Sequence, residues 1–282
     1  MRVLIAGCGY VGRALGMLLA SEGHEVFGLR RETGDLPREI QPVKADLSAP
    51  VPPEQLPRDL DFVFYLVSSG GPGDEAYRAA YVGGPRRLLE SLAARGGHLR
   101  RFLFISSTRV YAQTNGEWVD ETSPTEPDGY AGRLLLEGER LVLAGPFPAT
   151  VLRLAGIYGP GRTRTIERAR RIPPENEPPV YTNRIHRDDC AGVLRHLMLL
   201  PDPRDLYIGV DHEPADRRGV AEWLAGRLGG SLGKGPNEAS SGTFRGRTNK
   251  RCSNARLISS GYEFLYPTFR EGFSVLIRGT GG

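Results

Sequence analysis

Gly7, Gly9 and Gly12 stand in the run Gly7-Cys8-Gly9-Tyr10-Val11-Gly12, a G-x-G-x-x-G spacing. A first glycine allows a tight turn, a second lets backbone approach a diphosphate, and a third lets helix and strand pack closely. The N–H groups of Tyr10, Val11 and Gly12 then open a helix and face the anion. The motif carries this meaning where a strand precedes it and a helix follows. Further on the chain reads Leu29-Arg30-Arg31-Glu32. Guanidinium forks at Arg30 and Arg31 suit a 2′-phosphate and so favour NADP(H). Glu32, one residue late for a ribose hydroxyl, keeps NAD(H) open. Another basic stretch, Arg162, Arg164, Arg168, Arg170 and Arg171, reads first as a solvated helix face and second as a basic wall for an anionic ligand. His186 and His212 are isolated and read as capping or packing residues. Cys8, Cys190 and Cys252 are widely spaced and form neither a metal-ligand pattern nor a disulfide framework.

Alternating elements must hold these residues in place. Arg2–Ala6 reads as a buried strand and Val11–Ser21 as a helix stopped by Gly23. Strands follow at Glu25–Leu29, Pro42–Ala45 (with Asp46 at its end), Asp61–Val67, Arg101–Ile105 and Ala149–Leu154. Helical spacing covers Asp74–Arg95 and Gly132–Leu143. Strand and helix in alternation predict a parallel sheet covered on both faces, an α/β doubly wound (Rossmann) fold. Beyond Leu154 the pattern is irregular. Pro173–Pro179 is a Pro-rich loop and Gly229–Gly246 a Gly/Ser-rich one. Helices are expected at Asp188–Leu200, Asp216–Leu228 and Ser253–Ser260 (stopped by Gly261), and a strand at Leu206–Val210. This part reads as a small C-terminal substrate-binding cap. The division expected is a dinucleotide-binding domain over 1–157, with 187–211 returning to it, and a cap over 158–186 and 212–282.

Of the 282 residues, 39% are hydrophobic and 25% charged, an ordinary globular balance. The net charge of +4 permits nucleic-acid binding, but no recognition motif or aromatic interleaving supports it, so no nucleic-acid partner is expected. No apolar run reaches the ~18 residues of a spanning helix, and the apolar start is too short for a signal peptide. A cytoplasmic protein with no membrane association is expected.

Beyond the glycine loop stand Ile105-Ser106-Ser107-Thr108-Arg109-Val110-Tyr111, the run from Leu152 through Tyr158-Gly159-Pro160-Gly161, Ile185-His186-Arg187-Asp188-Asp189, and Gly261-Tyr262-Glu263-Phe264 with Glu271-Gly272. With the glycine loop, these runs resemble the extended short-chain dehydrogenase/reductases, the NAD dependent epimerase/dehydratase family, over nearly the whole chain. The resemblance implies that Asp46 and Leu47 sit against adenine, and that Leu66, Val67 and Ser68, with Ser106, lie beside the cofactor. It implies a catalytic hydroxyl at Ser107, with Thr108 as its neighbouring alternative, and a substrate-binding Arg251. It also implies a homodimer and a small-molecule substrate, with no metal.

The chain departs from the family at the proton relay. The family pairs a Tyr with a Lys four residues later, which helps the phenol transfer protons near neutrality. Here Tyr130 is followed four residues on by Leu134, and the frame shifted by one gives Ala131 and Leu135. Tyr130 is still the best acid/base candidate, and Arg133 could supply positive charge but not a base. The family's active-site Asn is also missing, the chain reading Tyr81-Val82-Gly83-Gly84. The expected function is therefore an NADP(H)-dependent oxidoreductase or epimerase of an atypical branch, acting on a carbonyl or alcohol of a small, nucleotide-sugar-like molecule. The rival expectation is a redox-silent NADP-binding sensor.

Overall fold

Apolar runs become strands buried on both faces. In the computed structural model, which describes residues 1–50, 53–96, 98–162, 164–168, 178–228 and 248–279, Arg2–Ala6 forms β1, and Val3, Leu4, Ile5 and Ala6 are fully buried. Successive side chains alternate, so Val3 and Ile5 enter one core layer and Leu4 and Ala6 the other. The chain continues through α1 (Tyr10–Ser21), β2 (Glu25–Arg30), β3 (Ile40–Lys44), β4 (Phe62–Tyr65), α2 (Asp74–Arg78), α3 (Gly84–Ala93), β5 (Arg101–Ser107), β6 (Glu117–Val119), α4 (Tyr130–Leu143) and β7 (Ala149–Leu154). Then come β8 (Gly156–Tyr158), α5 (Arg164–Arg168), β9 (Tyr181–Thr182), β10 (Arg184–His186), α6 (Arg187–Leu199), β11 (Leu206–Gly209), β12 (Ala215–Asp216), α7 (Arg217–Arg227), β13 (Lys250–Cys252), α8 (Ala255–Ser259) and α9 (Phe269–Gly279).

Seven strands form one parallel sheet in the order β11-β7-β5-β4-β1-β2-β3, the doubly wound arrangement. Leu15 and Leu19 of α1 meet Val193, Leu194 and Leu197 of α6 on one face. Leu88 and Leu92 of α3 and Val142 of α4 fill the other. Each such buried side chain favours folding by about 1.5–3 kcal/mol. Segments leaving the carboxyl ends of β5, β7 and β11 form small pairs: β6 with β13, β8 with β10, and β9 with β12.

The two sheet edges are finished differently. β3 carries Pro42, which lacks an N–H, between the exposed Gln41 and Lys44. On β11, Ile208 N donates to the Glu121 carboxylate at 2.9 Å, and the Leu206 carbonyl accepts from Arg256 at 3.0 Å. Arg256 in turn lies 3.5 Å from Glu121.

Several elements differ from expectation. The helix expected over Asp74–Arg95 is α2 and α3 joined by a π-helical turn, Ala79–Gly83, with Pro85 in the first turn of α3. The third strand starts earlier, because Ile40 is apolar and fully buried. α4 starts at Tyr130 rather than Gly132. Helix α9 was not anticipated, although Phe269, Phe273, Leu276 and Ile277 follow helical spacing and pack together. The loop expected over Gly229–Gly246 lies outside the described residues, as do Arg170, Arg171 and most of Pro173–Pro179.

Candidate functional site

The glycine loop joins β1 to α1. Gly7 takes φ +86°, and a Cβ there would lie 2.6 Å from Val67 N and 2.7 Å from Leu66 C. Only glycine fits between the ends of β1 and β4. At Gly12 a Cβ would meet Gly7 O and Ile5 Cγ2, both at 3.0 Å, which sets the helix close to the strand. At Gly9 the nearest atom would be 3.9 Å away, so this glycine leaves the loop surface open. Gly9 caps α1 with no side-chain acceptor, and the first turn carries no acid. A helix N-terminus whose N–H groups lack a side-chain cap and a carboxylate suits an anion. These residues fit a dinucleotide's diphosphate. Burial pushes the Cys8 thiol up to about 11, so it is an inert packing group. Leu66 and Val67 pack into the two core layers, and Ser68 is exposed beyond them.

At the end of β2, Arg30 Nη1 lies 3.0 Å from Asp35 but off the line of a hydrogen bond. Asp35 also accepts from Arg13, a contact that holds its carboxyl below the usual range. Arg31 is exposed and has no ion-pair partner among the described residues. Glu32 lies 3.8 Å from Lys44, both largely exposed. Asp46 accepts from Ser48 N at 2.9 Å, and this turn holds its carboxyl below the usual range. Leu47 is buried, and its carbonyl accepts from Arg87. Asp35, which reaches two arginines, is a residue that sequence spacing missed.

Along β5, strand alternation separates the two serines. Ser106 turns inward, where its hydroxyl donates to Glu139 at 2.5 Å. It is therefore held by α4 and buried, not presented to a cofactor as the resemblance implied. Ser107 is half-buried and accepts from Arg109 N at 3.2 Å, capping the 3-10 turn Thr108–Val110. Thr108 is buried beside Cys252. Arg109 donates to the Tyr77 hydroxyl at 3.2 Å, and the Tyr77 ring stands nearly perpendicular to Tyr130, with centroids 5.4 Å apart. The Tyr130 hydroxyl accepts from Gly73 N at 2.9 Å. Arg133 turns away and donates to the Asp128 carbonyl. Ala131, Leu134 and Leu135 are all buried. Neither register of α4 therefore places a cation beside a phenol.

Two buried groups brace β5, α4 and the turn that follows Ser107. Glu139 and Arg153, both 6% exposed, pair at 2.6 Å, and Arg153 donates to the Tyr111 hydroxyl at 2.8 Å. Lys250 donates to the Tyr111 carbonyl at 3.0 Å and to Thr248 at 2.8 Å. Burial holds its ammonium below the ordinary lysine pKa. Lys250 thus clamps the C-terminal side of the turn that starts at Ser107. It lies in β13, more than a hundred residues from that turn, and no local pattern marked it.

Arg251 donates to the Gly116 carbonyl at 2.7 Å and lies between the rings of Trp118 and Tyr181, 5.2 and 4.8 Å from their centroids. His186 caps α6 through Asp188 N, and burial lowers its pKa. His212 meets Asn254 at 3.0 Å. Among the described residues no group of side chains could hold a metal ion, and no helix is long and apolar enough to cross a membrane.

Comparison with known proteins gives a consistent result. The model of the NAD dependent epimerase/dehydratase family matches residues 3–182. Protein YeeZ of Escherichia coli (strain K12) is 30% identical over 94% of this chain and 96% of its own length. The dTDP-6-deoxy-L-talose 4-dehydrogenase (NAD(P)(+)) of Kitasatospora kifunensis is 30% identical over 56% of this chain and 53% of its own. A solved structure from Methylobacillus flagellatus, assigned as an NAD-dependent epimerase/dehydratase, superposes with a TM-score of 0.82 at 36% identity, covering 100% of this chain and 99% of that one.

Proposed function

The chain belongs to the NAD dependent epimerase/dehydratase family and is an NAD(P)-dependent enzyme, and from that premise we propose that it is an NADP(H)-preferring oxidoreductase or epimerase. Its substrate is a carbonyl or alcohol on a small, nucleotide-sugar-like molecule, a class to which the talose dehydrogenase relative lends support. The observation that carries the cofactor assignment is the glycine loop: two close-packed glycines, Gly7 and Gly12, flank the open Gly9 at an acid-free helix N-terminus. Gly7, Gly9, Tyr10, Val11 and Gly12 hold the diphosphate. Arg30 and Arg31 face the 2′-phosphate, and Asp46, Leu47, Leu66, Val67 and Ser68 line the remainder. Residues 1–157 with 187–211 form the cofactor-binding part, and 158–186 with 212–282 the substrate cap.

The nicotinamide, when bound, supplies or accepts a hydride. The chain's own residues position the substrate and manage the proton. Ser107 orients the substrate oxygen. Tyr130 accepts from Gly73 N and so keeps its own proton free to donate. Lys250 and the Glu139–Arg153 pair hold the serine turn and α4 in register, so that orientation supplies part of the rate.

The test is a fluorescence titration with NADPH and NADH, followed by a carbonyl-substrate panel. Tighter NADPH binding with turnover of a panel member supports the proposal. Tight binding without turnover favours a sensor, as the buried Leu134 and Leu135 at the relay positions would. Binding of neither nucleotide overturns the cofactor assignment.

A further inference from the structure

We propose that Arg162 clamps the diphosphate of the bound dinucleotide, an assignment that rests on the cofactor reading above. Tyr10 is the first residue of α1, directly after the open Gly9. Its hydroxyl donates to the Pro160 carbonyl at 2.8 Å, tying the glycine loop to the turn after β8. The approach is close: Gly159 takes φ +147°, and a Cβ there would lie 2.8 Å from the Tyr10 hydroxyl and 3.0 Å from Arg187 Cβ. Arg162 N donates to Gly159 O at 3.0 Å, closing this turn and setting the arginine over the loop.

Its guanidinium carbon lies 4.1 Å from the Tyr10 ring centroid, and its Nη1 donates to the Ile157 carbonyl at 3.1 Å. The ring and the carbonyl fix the guanidinium plane and spend one of its five N–H donors. Arg162 has no carboxylate within ion-pair distance among the described residues. Its neighbour Arg187 also lies over Tyr10, at 5.4 Å, but Arg187 is paired with Asp188 at 2.8 Å. One pre-oriented and unneutralised cation therefore lies against the residue that opens α1, where the helix turn also lacks acids. A guanidinium fork matches phosphate oxygens, and the helix N-terminus favours the same charge. The 2′-phosphate is the lesser fit, because Arg30 and Arg31 serve it at the end of β2.

The test titrates wild type, Arg162→Gln and Arg162→Lys with NADPH and with ADP-ribose, which keeps the diphosphate and lacks nicotinamide. Each titration is run at low and high salt. Arg162→Gln is expected to weaken both ligands roughly 10–100-fold, the range for one lost charge-assisted contact. It should also flatten the salt dependence, and Arg162→Lys should fall between. A variant that merely disturbs the turn would weaken binding without changing the salt dependence, and that result overturns the proposal. Affinity within twofold of wild type in Arg162→Gln also overturns it. Failure of the wild type to bind either ligand strikes the cofactor reading instead, so the two failures are distinguishable.

Discussion

Replacing Arg30 with Ala should erase the preference for NADPH while leaving NADH binding nearly unchanged. Arg30 ends β2, its side chain is 25% exposed, and its nearest partner, Asp35, is 57% exposed and shared with Arg13. Arg30 Nη1 is buried beside Asp35, 3.0 Å away and not hydrogen-bonded to it, so an incoming phosphate must displace Asp35 or use the other guanidinium nitrogens. A hydrogen bond to a charged group contributes about 1.5–3 kcal/mol. Partial exposure and competition from Asp35 place the expected loss at the low end, about tenfold in Kd. Arg31 is next to it and exposed, so Arg30→Ala with Arg31→Ala should lose more than either alone. The assay is nicotinamide fluorescence on titration of each variant with NADPH and NADH at one fixed salt concentration. Equal weakening for both nucleotides would mean that Arg30 serves the fold or the shared adenosine. No change for either would place the 2′-phosphate elsewhere and remove the case for NADP(H).

Three other outcomes follow from the geometry. Glu139→Ala leaves Arg153 buried without its carboxylate and should destabilise the chain by about 3–5 kcal/mol in urea unfolding, with Glu139→Gln milder. Asp211 is buried, and its carboxyl is pushed up to about 7 by desolvation. Its folded pKa exceeds its unfolded one, so its stabilising contribution is full below about pH 4 and gone once the pH passes about 7. Thermal unfolding of Asp211→Asn across pH 4–8 should show a flatter profile than wild type, and an identical profile would refute the assignment. Tyr130→Phe should lower kcat on any substrate found by roughly 10²-fold or more, with the cofactor Kd unchanged, whereas an unaffected kcat would move proton handling to another group.

The strand, glycine loop and helix that open the chain were legible because they are local. A glycine triplet between an apolar strand and an amphipathic helix has few other folds available, and Arg30 and Arg31 simply follow the next strand. Asp35 escaped notice because its role comes from side-chain reach to Arg13 and Arg30 across a loop, not from a spacing. Lys250 escaped because β13 meets β6 only through tertiary pairing, and three-residue strands carry no readable period. The π-helical turn at Ala79–Gly83 inserts a residue that a 3.6-residue period cannot register. Ser106 and Ser107 are adjacent in sequence, and only the pleat decides that one faces Glu139 of α4 and the other caps the turn Thr108–Val110.

The finished edges of the sheet constrain how copies of this chain can meet. An open β-edge invites another chain to add a strand. Here the β3 edge offers a proline and a lysine, and on the β11 edge a carboxylate already occupies the Ile208 N–H and a guanidinium the Leu206 carbonyl. Strand addition would have to displace those side chains at one end and leave unmade backbone bonds at the other. Assembly through a continuous intermolecular sheet is thereby disfavoured. Self-association, if the chain undergoes it, is left to helix faces, where an interface can form without altering the sheet that aligns the glycine loop.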